Sequence, residues 1–553
     1  MKHVMTGKPA RCAVALATIA ALLGLTACGG GGGSTAAVPP TVPPPPPVLA
    51  ADEVQTAEGI YKGSVEGNLL VFRGLRYAAP PVGNLRFKAP AAPAAFAGTT
   101  DATQFAAQCI QTGGVGPIGE EDCLFLNIWS HDDNVERPVL VFLQGGSRNG
   151  TGGDLASVDG ALLAENANVV VVTLNRRLNV FGGLVLNELI LENPRTTAGN
   201  YTTLDVIAAL EWLQANLAAF NGNPNRILLA GESAGAFMIC HLVAAPDVAG
   251  LISAAAIQSG NCARRSRLDA SVPMAMAPIF DTAANLHRPV LAAAGCDMAA
   301  DILQCLRNLP ATDLVNAGQT VVDANNGRNV FAPIIDAVVV VSDPHTALIA
   351  ETAGSIPIIV GATADEGAGG QSGPPPANDA DYRARLAAIF GSPLDDQIYA
   401  LYPPADFGGS VALTWLTFWG DWIFNCEAEE LARSAAGNTP AYLYTFSRGF
   451  SSGSRGGLGA VHAIDVPFLF ETYDVFGHTA DADDALVTDA MQNAWTGLAA
   501  DPTAAPPYLP AAASSWPAFD INNVQLVNFD ATTTIDTVHR NGRCTALRDL
   551  ISL

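Results

Sequence analysis

Charged side chains are scarce in this chain, and basic ones are the scarcer kind. Only 14% of the 553 residues are charged, with 28 Lys and Arg against 52 Asp and Glu, which gives a formal net charge of −24. A surface that binds nucleic acid needs a basic face, so this balance argues against nucleic acid as a partner. It also disfavours polyanionic substrates, because the field of the whole protein repels them.

The sequence also lacks an internal repeat, and beyond its amino terminus it lacks a long apolar run. We therefore expect no transmembrane helix in the rest of the chain. Apolar residues nevertheless make up 49% of the sequence, which is ample for a large core. A chain of this length would average several domains, but α/β folds of this size often form one unit.

The first 28 residues have the pattern of an export signal. Lys2, Lys8 and Arg11 precede an apolar stretch at residues 12–23 that is too short to span a bilayer comfortably. The segment ends in Leu-Thr-Ala-Cys, which resembles a bacterial lipobox and implies cleavage before Cys28 and a lipid on its sulfur. The alternative is an ordinary signal peptide with incidental Cys28.

A Gly-rich and Pro-rich tether follows at residues 29–50, and the folded domain is expected at residues 51–553. A lipid, a spacer and a domain together predict an exported protein of the cell envelope, held at a membrane by its lipid anchor only. Gly29, where Asp would favour retention at the inner membrane, points to the outer membrane. Without lipid, the protein would be secreted or periplasmic.

Export makes disulfides an expectation for the cysteines of the folded part. Ten cysteines less Cys12 and Cys28 leave eight, and the sequence alone allows many pairings. The eight are Cys109, Cys123, Cys240, Cys262, Cys296, Cys305, Cys426 and Cys544.

Short β-rich runs alternate with helical periodicity from residue 51 onward. This pattern predicts an α/β fold with a central, mostly parallel sheet flanked by helices. The expected strands include residues 139–143, 169–174, 227–230, 356–360 and 441–446, and helices are expected at residues 204–220 and 236–243. Two stretches rich in Gly and Ser, residues 367–381 and 448–460, predict mobile loops that border the active site.

Ser233 lies in the pattern G-x-S-x-G at residues 231–235, between a predicted strand and a predicted helix. This is the nucleophile-elbow pattern, in which a sharp turn holds a serine hydroxyl at the carboxyl edge of a sheet. The glycines allow the turn to be tight. Ser233 is therefore the candidate nucleophile.

A serine nucleophile needs a histidine base and a carboxylate that orients the histidine. In the order typical of this elbow, the acid comes next and the histidine last. Glu366 follows the predicted strand at residues 356–360, beside Asp365, and the alternative is a solvated loop carboxylate. His462 follows a predicted strand and a Gly-rich stretch, and His539 is the weaker candidate.

Acyl transfer also needs donors aimed at the developing oxyanion. The predicted strand at residues 139–143 leads into Gln144, Gly145, Gly146 and Ser147. We expect backbone N–H groups of Gly146, Ser147 and Ala234 to form the oxyanion hole. A run of aromatic residues at helical spacing is either a core-facing stripe or a wall of a substrate gorge; it comprises Trp415, Phe418, Trp419 and Trp422.

Together these features resemble the type-B carboxylesterase/lipase family of cholinesterase-like α/β-hydrolases, here as a bacterial lipoprotein member. The matching stretches run in order from about residue 55 to residue 547. They include FRGLRYAAPPVGNLRF at residues 72–87, EDCLFLN at 121–127, NRRL at 175–178, GNY at 199–201 and GESAG at 231–235. The resemblance implies a triad of Ser233, Glu366 and His462.

The resemblance also implies three disulfides, and the two remaining cysteines are expected to form a fourth. The pairs are Cys109–Cys123, Cys296–Cys305, Cys426–Cys544 and, by remainder, Cys240–Cys262.

The chain departs from the family pattern in three places. Gln144 and Ser147 replace the first and fourth residues of a His-Gly-Gly-Gly loop, and the side chain of Ser147 would narrow the acyl side of the pocket. Residues 202–206 read Thr-Thr-Leu-Asp-Val where the family favours Gly-Leu-x-Asp-Gln, with no functional consequence that we can derive.

The sequence predicts a serine carboxylic-ester hydrolase that acts on a small-molecule ester through an acyl-enzyme. This chemistry requires no metal or organic cofactor. The alternatives are a lipase or polyester hydrolase that acts on insoluble substrates, and a non-catalytic binding protein of the same fold.

Overall fold

An eleven-stranded sheet runs through the structure, and its seven middle strands are parallel. The computed structural model describes residues 49–146, 156–260, 262, 280–325, 330–370, 373–508 and 515–551. In chain order the strands are β1 (Ser64–Glu66), β2 (Leu69–Arg76), β3 (Phe125–His131), β4 (Arg137–Leu143), β5 (Val170–Leu174), β6 (Gly222–Glu232), β7 (Ala254–Gln258), β8 (Ile358–Thr363), β9 (Ala441–Phe446), β10 (Leu526–Phe529) and β11 (Thr534–Asp536).

The order across the sheet is β11-β10-β9-β8-β7-β6-β4-β5-β3-β2-β1. The antiparallel pairs lie at the two sides, where β10 meets β11 and where β5, β3, β2 and β1 follow one another. Parallel strands need crossover connections, so helices cover both faces of the middle of the sheet. The carboxyl ends of the seven parallel strands therefore meet at one edge.

The middle strands are buried on both faces because their successive side chains point to opposite sides. On β4, for example, Val139 and Val141 pack on one face, and Leu140 and Phe142 pack on the other. Each face forms its own apolar cluster with the helices that cover it. This double burial explains why these strands are continuous apolar runs in the sequence.

Helices occupy the connections between the parallel strands, either singly or several in a row. Their bounds are α1 (Ala161–Ala167), α2 (Asn179–Gly183), α3 (Asn187–Glu192), α4 (Tyr201–Asn216), α5 (Ala234–Leu242), α6 (Phe280–His287), α7 (Pro289–Ala293), α8 (Ile302–Asn308), α9 (Ala311–Ala324), α10 (Pro344–Ile349), α11 (Gly367–Gly370), α12 (Asp379–Phe390), α13 (Leu394–Leu401), α14 (Val411–Gly420), α15 (Cys426–Ala435), α16 (Val466–Phe470), α17 (Ala482–Ala500) and α18 (Arg543–Ile551). A π-helical turn, Asp421–Asn425, joins α14 to α15.

The predicted α/β fold is confirmed, and so are the predicted strands, which become β4, β5, β6, β8 and β9. The helix predicted at residues 204–220 is α4 followed by a 3₁₀ turn, Leu217–Phe220. The prediction of a loop throughout residues 367–381 is wrong at both ends, where α11 forms and α12 begins. A side chain at position 367 would collide with the backbone of Leu416 on α14. Glycine at this position therefore lets α11 pack closely against α14.

The second predicted loop, residues 448–460, is irregular apart from a 3₁₀ turn, Gly453–Arg455. Arg448 pairs with Asp481 and Asp484, and Ser452 bonds to His478, so this segment is fastened to the start of α17.

Residues Leu49–Leu553 form one compact unit. The signal segment at residues 1–28, its Cys28, and nearly all of the tether at 29–50 lie outside the described residues. Among the helices of the described residues, none is both long and apolar enough to cross a membrane.

The eight cysteines of the folded part form four disulfides in the structure. The pairs are Cys109–Cys123, Cys240–Cys262, Cys296–Cys305 and Cys426–Cys544.

Candidate active site

Ser233 occupies a sharp turn between β6 and α5. Its φ of 52° and ψ of −119° lie in a region that residues with a side chain rarely adopt. Two backbone hydrogen bonds hold this conformation: Ser233 N–H donates to Gln258 O at 2.9 Å, and Phe237 N–H donates to Ser233 O at 2.8 Å. The strain is therefore maintained by the sheet on one side and the helix on the other.

The glycines that flank the elbow are required by the close approach of β4. A side chain at Gly235 would overlap the carbonyl group of Leu143, and one at Gly231 would come within 2.9 Å of the same oxygen. Both positions pack directly against the end of the neighbouring strand. The G-x-S-x-G spacing is thus a packing requirement of this turn as well as a sequence pattern.

The structure brings Ser233, His462 and Glu366 together in hydrogen-bonding order. The Ser233 Oγ atom lies 2.9 Å from Nε2 of His462, and Nδ1 of His462 lies 2.5 Å from Oε2 of Glu366. The three residues follow the carboxyl ends of β6, β9 and β8, respectively, so the sheet edge places them side by side. This is the relative geometry of a nucleophile, a base and an orienting acid.

Glu366 is 1% exposed and is held by three donors in addition to its burial. Its Oε1 accepts hydrogen bonds from Ser259 Oγ at 2.5 Å and from Thr363 N–H at 2.9 Å. Burial alone would raise the pKa of Glu366, but the charge of His462 and these donors outweigh it and lower the pKa below its ordinary value. The carboxylate is therefore ionised and fixed in orientation.

His462 carries the opposite balance of effects. Burial lowers the pKa of the imidazole, but the charges of Glu366 and Glu232 outweigh burial and raise the pKa to about 9. The ring of Phe424 packs against the imidazole with centroids 4.9 Å apart. The site therefore favours the imidazolium, which is the form that a general base becomes after it takes a proton.

A second carboxyl group faces the histidine from the elbow itself. Oε1 of Glu232 lies 3.3 Å from Nε2 of His462, and this oxygen is buried without a hydrogen-bond partner. Burial raises the pKa of Glu232 to about 8. Sequence reasoning did not assign Glu232 a role, although its place beside the nucleophile in GESAG was a usable signal.

Asp365, the neighbour of Glu366, ties the acid and base segments together. Its N–H donates to Ala460 O at 2.9 Å, and its Oδ2 accepts from Ala460 N–H at 2.9 Å. It is therefore not the acid that faces His462.

The loop after β4 approaches Ser233 closely. A side chain at Gly145 would come within 3.0 Å of Ser233 Cβ, and Gly146 has a φ of 115°, which favours glycine. Ala234 is the first residue of α5. Ser147, the third expected donor, lies outside the described residues.

His539, the weaker candidate for the base, contacts Glu429 and not Glu366. Its Nδ1 lies 3.0 Å from Oε2 of Glu429. These two residues and Cys544 are the one group in the described part of the chain with metal-ligand spacing. Cys544 is already bonded to Cys426, so it offers no thiolate to a metal.

The aromatic run divides between the two interpretations. Trp415, Phe418 and Trp422 are buried in a core cluster with α12 and α13. Trp419 is only partly buried and packs on Phe424, with centroids 5.6 Å apart. The stripe is therefore mainly core, with Trp419 on the side that leads to the triad.

Comparison with known proteins matches this chain and its fold to one family. The model of the carboxylesterase family matches residues 50–547. The chain is 33% identical to fumonisin B1 esterase of Sphingopyxis macrogoltabida over 465 residues, which cover 80% of this chain and 81% of that protein. It is 30% identical to para-nitrobenzyl esterase of Bacillus subtilis over 507 residues, or 87% and 96% of the two chains.

Solved structures give the same result. A thermophilic para-nitrobenzyl esterase superposes with a TM-score of 0.76 at 27% identity and covers 90% of this chain and 100% of that chain. A carboxylesterase of Geobacillus stearothermophilus superposes with a TM-score of 0.75 at 28% identity, covering 90% and 99% of the two chains. The chain thus belongs to the carboxylesterase family and is a carboxylic ester hydrolase.

Proposed function

We propose that this protein is a serine carboxylesterase that works through an acyl-enzyme formed on Ser233. The observation that carries the proposal is the unbroken hydrogen-bonded series from Ser233 Oγ through His462 to Glu366, at 2.9 and 2.5 Å. His462 takes the hydroxyl proton as Oγ attacks the ester carbonyl. It then gives the proton to the departing alcohol.

Glu366 keeps His462 in the tautomer whose Nε2 can accept the proton, and its charge stabilises the imidazolium that forms. Water then repeats the cycle on the acyl-enzyme, with His462 again as the base, and releases the acid. The two buried donors to Oε1 of Glu366 leave Oε2 directed at the imidazole.

The oxyanion of each tetrahedral intermediate is held by the N–H groups of Gly146, Ser147 and Ala234. The N–H of Ala234 lies at the start of α5, where the helix dipole adds a positive partial charge. Loss of one donor of this kind typically lowers turnover by about 10²–10³. In this proposal the side chain of Ser147 narrows the acyl side and disfavours bulky acids.

The test is Ser233→Ala, assayed on a p-nitrophenyl ester and by labelling with a fluorophosphonate probe. We expect activity to fall to background and labelling of the folded protein to disappear. Full activity of the variant would refute the mechanism, and absence of label on the wild-type protein would favour a binding protein.

The chain offers a matched control in a second Ser-His-Glu set that lacks an elbow. Ser434 Oγ lies 2.8 Å from Nδ1 of His345, whose Nε2 lies 2.8 Å from Oε1 of Glu427. Ser434 lies in the last turn of helix α15 and does not have the positive φ of Ser233. Ser434→Ala should keep both activity and labelling, and this result would show that the three residue types do not suffice without the strained turn.

The substrate is proposed to be a small-molecule ester. A panel of short-chain esters, long-chain triglycerides and polyester films separates this from a lipase or a polyester hydrolase. The expected order is highest activity on soluble short-chain esters, and preference for the insoluble substrates would favour the alternative.

We also propose that the protein is exported and anchored by a lipid on Cys28. The lipobox-like sequence before Cys28 and the four disulfides of the folded part support this proposal. Labelled palmitate should be incorporated into the wild-type protein and not into Cys28→Ala. Equal labelling of both would exclude the anchor, and cleavage near Ala27 without lipid would indicate a secreted or periplasmic form.

A further inference from the structure

Two buried guanidinium groups lie near one buried carboxylate, but only one of them is hydrogen-bonded to it. Arg176, Arg177 and Asp205 are 4%, 3% and 0% exposed. The carboxylate of Asp205 is engaged by Arg177, through its Nε, its Nη2 and its backbone N–H. In the described part of the chain, Arg176 has no carboxylate within hydrogen-bonding distance, so the group keeps a net positive charge.

Arg176 makes one hydrogen bond through its guanidinium, from Nη2 to the backbone oxygen of Gln144 at 2.8 Å. Its Nη1 is buried without a partner. Burial lowers the pKa of Arg176 to about 10, so the group is still a cation at neutral pH. An unpaired buried charge is costly, and a purely structural arginine would be expected to have an acid beside it.

The position of Arg176 follows from the sheet. Strand β5 lies beside β4 in parallel register, with Thr173 opposite Phe142. The segments that leave these strands are therefore neighbours. This places Arg176 next to Gln144, where the proposed oxyanion loop begins. Gln144 is followed by Gly145, which packs against Ser233.

Building on the proposed serine mechanism, we propose that Arg176 is a positioning residue for oxyanion stabilisation. Its hydrogen bond to the Gln144 carbonyl fixes the peptide plane between Gln144 and Gly145, from which the loop leads to Gly146. Its uncompensated charge adds a favourable potential for negative charge that develops on the substrate oxygen. Arg176 acts through this loop and does not touch the substrate.

Three substitutions separate charge from hydrogen bonding. Arg176→Met removes both, Arg176→Gln keeps a donor without charge, and Arg176→Lys keeps the charge. We expect kcat on a p-nitrophenyl ester to fall on the order of tenfold in the Met and Gln variants, and less in the Lys variant. KM and the pH dependence of kcat/KM should stay as in the wild type, because Glu366 and Glu232 set the titration of His462.

A second readout tests the oxyanion directly. Affinity for a trifluoromethyl ketone, which forms an anionic hemiketal on the nucleophile, should fall in the Met and Gln variants by the same factor as kcat. Thermal unfolding should show the Met variant to be at least as stable as the wild type, because an uncompensated buried charge has been removed. The exposed Arg195→Met variant serves as the control for loss of an arginine and should keep kcat.

Wild-type kcat in the Gln variant would overturn the role of the charge. A Met variant that is less stable, with kcat and KM both altered, would show that Arg176 only supports the fold. Failure of the serine mechanism is recognised separately, by full activity of Ser233→Ala.

Discussion

The buried carboxyl group of Glu232 should make the free energy of unfolding decrease as the pH rises. Its side chain is 6% exposed, and Oε1 lies 3.3 Å from Nε2 of His462. Burial raises its pKa from 4.5 to about 8. A carboxyl group whose pKa is raised by folding keeps a proton that the unfolded chain has released, so stability falls as pH rises through this interval.

The interval from 4.5 to about 8, at about 1.36 kcal/mol per pH unit, amounts to about 5 kcal/mol of stability lost by pH 8. His462 adds to the trend, because its pKa is raised from 6.5 to about 9 and its contribution is lost as pH rises through that range. Glu232→Gln removes the loss of stability that ionisation of Glu232 causes.

The assay is the free energy of unfolding in urea at pH 5, 7 and 9. We expect Glu232→Gln to match the wild type near pH 5 and to be more stable at pH 9, by up to about 5 kcal/mol. The acid limb of kcat/KM should move to lower pH, because loss of the carboxylate lowers the pKa of His462. Parallel stability curves for variant and wild type would refute the reasoning, and exposed Glu211→Gln is the control expected to follow the wild type.

Three further predictions concern the orienting acid, the turn that holds Ser233 and one of the disulfides. Glu366→Gln should lower kcat on a p-nitrophenyl ester by about 10³–10⁴ with little change in thermal stability, because the histidine loses its orienting charge. Gly235→Ala should lower the melting temperature and abolish activity, because its side chain would overlap the Leu143 carbonyl group. Replacing Cys109 and Cys123, 14 residues apart, with Ala should lower the free energy of unfolding by about 3 kcal/mol in urea titrations.

The sequence could predict the fold because each middle strand is apolar along its whole length, as both-face burial demands. It could place Ser233, Glu366 and His462 together because each follows such a strand, and the carboxyl ends of parallel strands share an edge. The structure brings the same three residues into hydrogen-bonding contact.

Other residues and elements around the site could not be predicted from the sequence, for physical reasons. Ser259 also follows a middle strand, but a neutral serine gives no chemical signal until its partner Glu366 is placed. Phe424 lies in a π-helical turn, and an extra residue in a turn is invisible to a 3.6-residue period. Helix α11 is rich in glycine, so its formation depends on packing against α14 and not on propensity.

The double hydrogen bond between Asp365 and Ala460 has a consequence for how this enzyme can change over time. Glu366 directly follows Asp365, and His462 comes two residues after Ala460, so these two hydrogen bonds join the segments that carry the proposed acid and base. We expect insertions elsewhere in either segment to alter the entrance to the site without altering the separation of Glu366 and His462. A change of substrate range is thus compatible with an unchanged distance between Glu366 and His462.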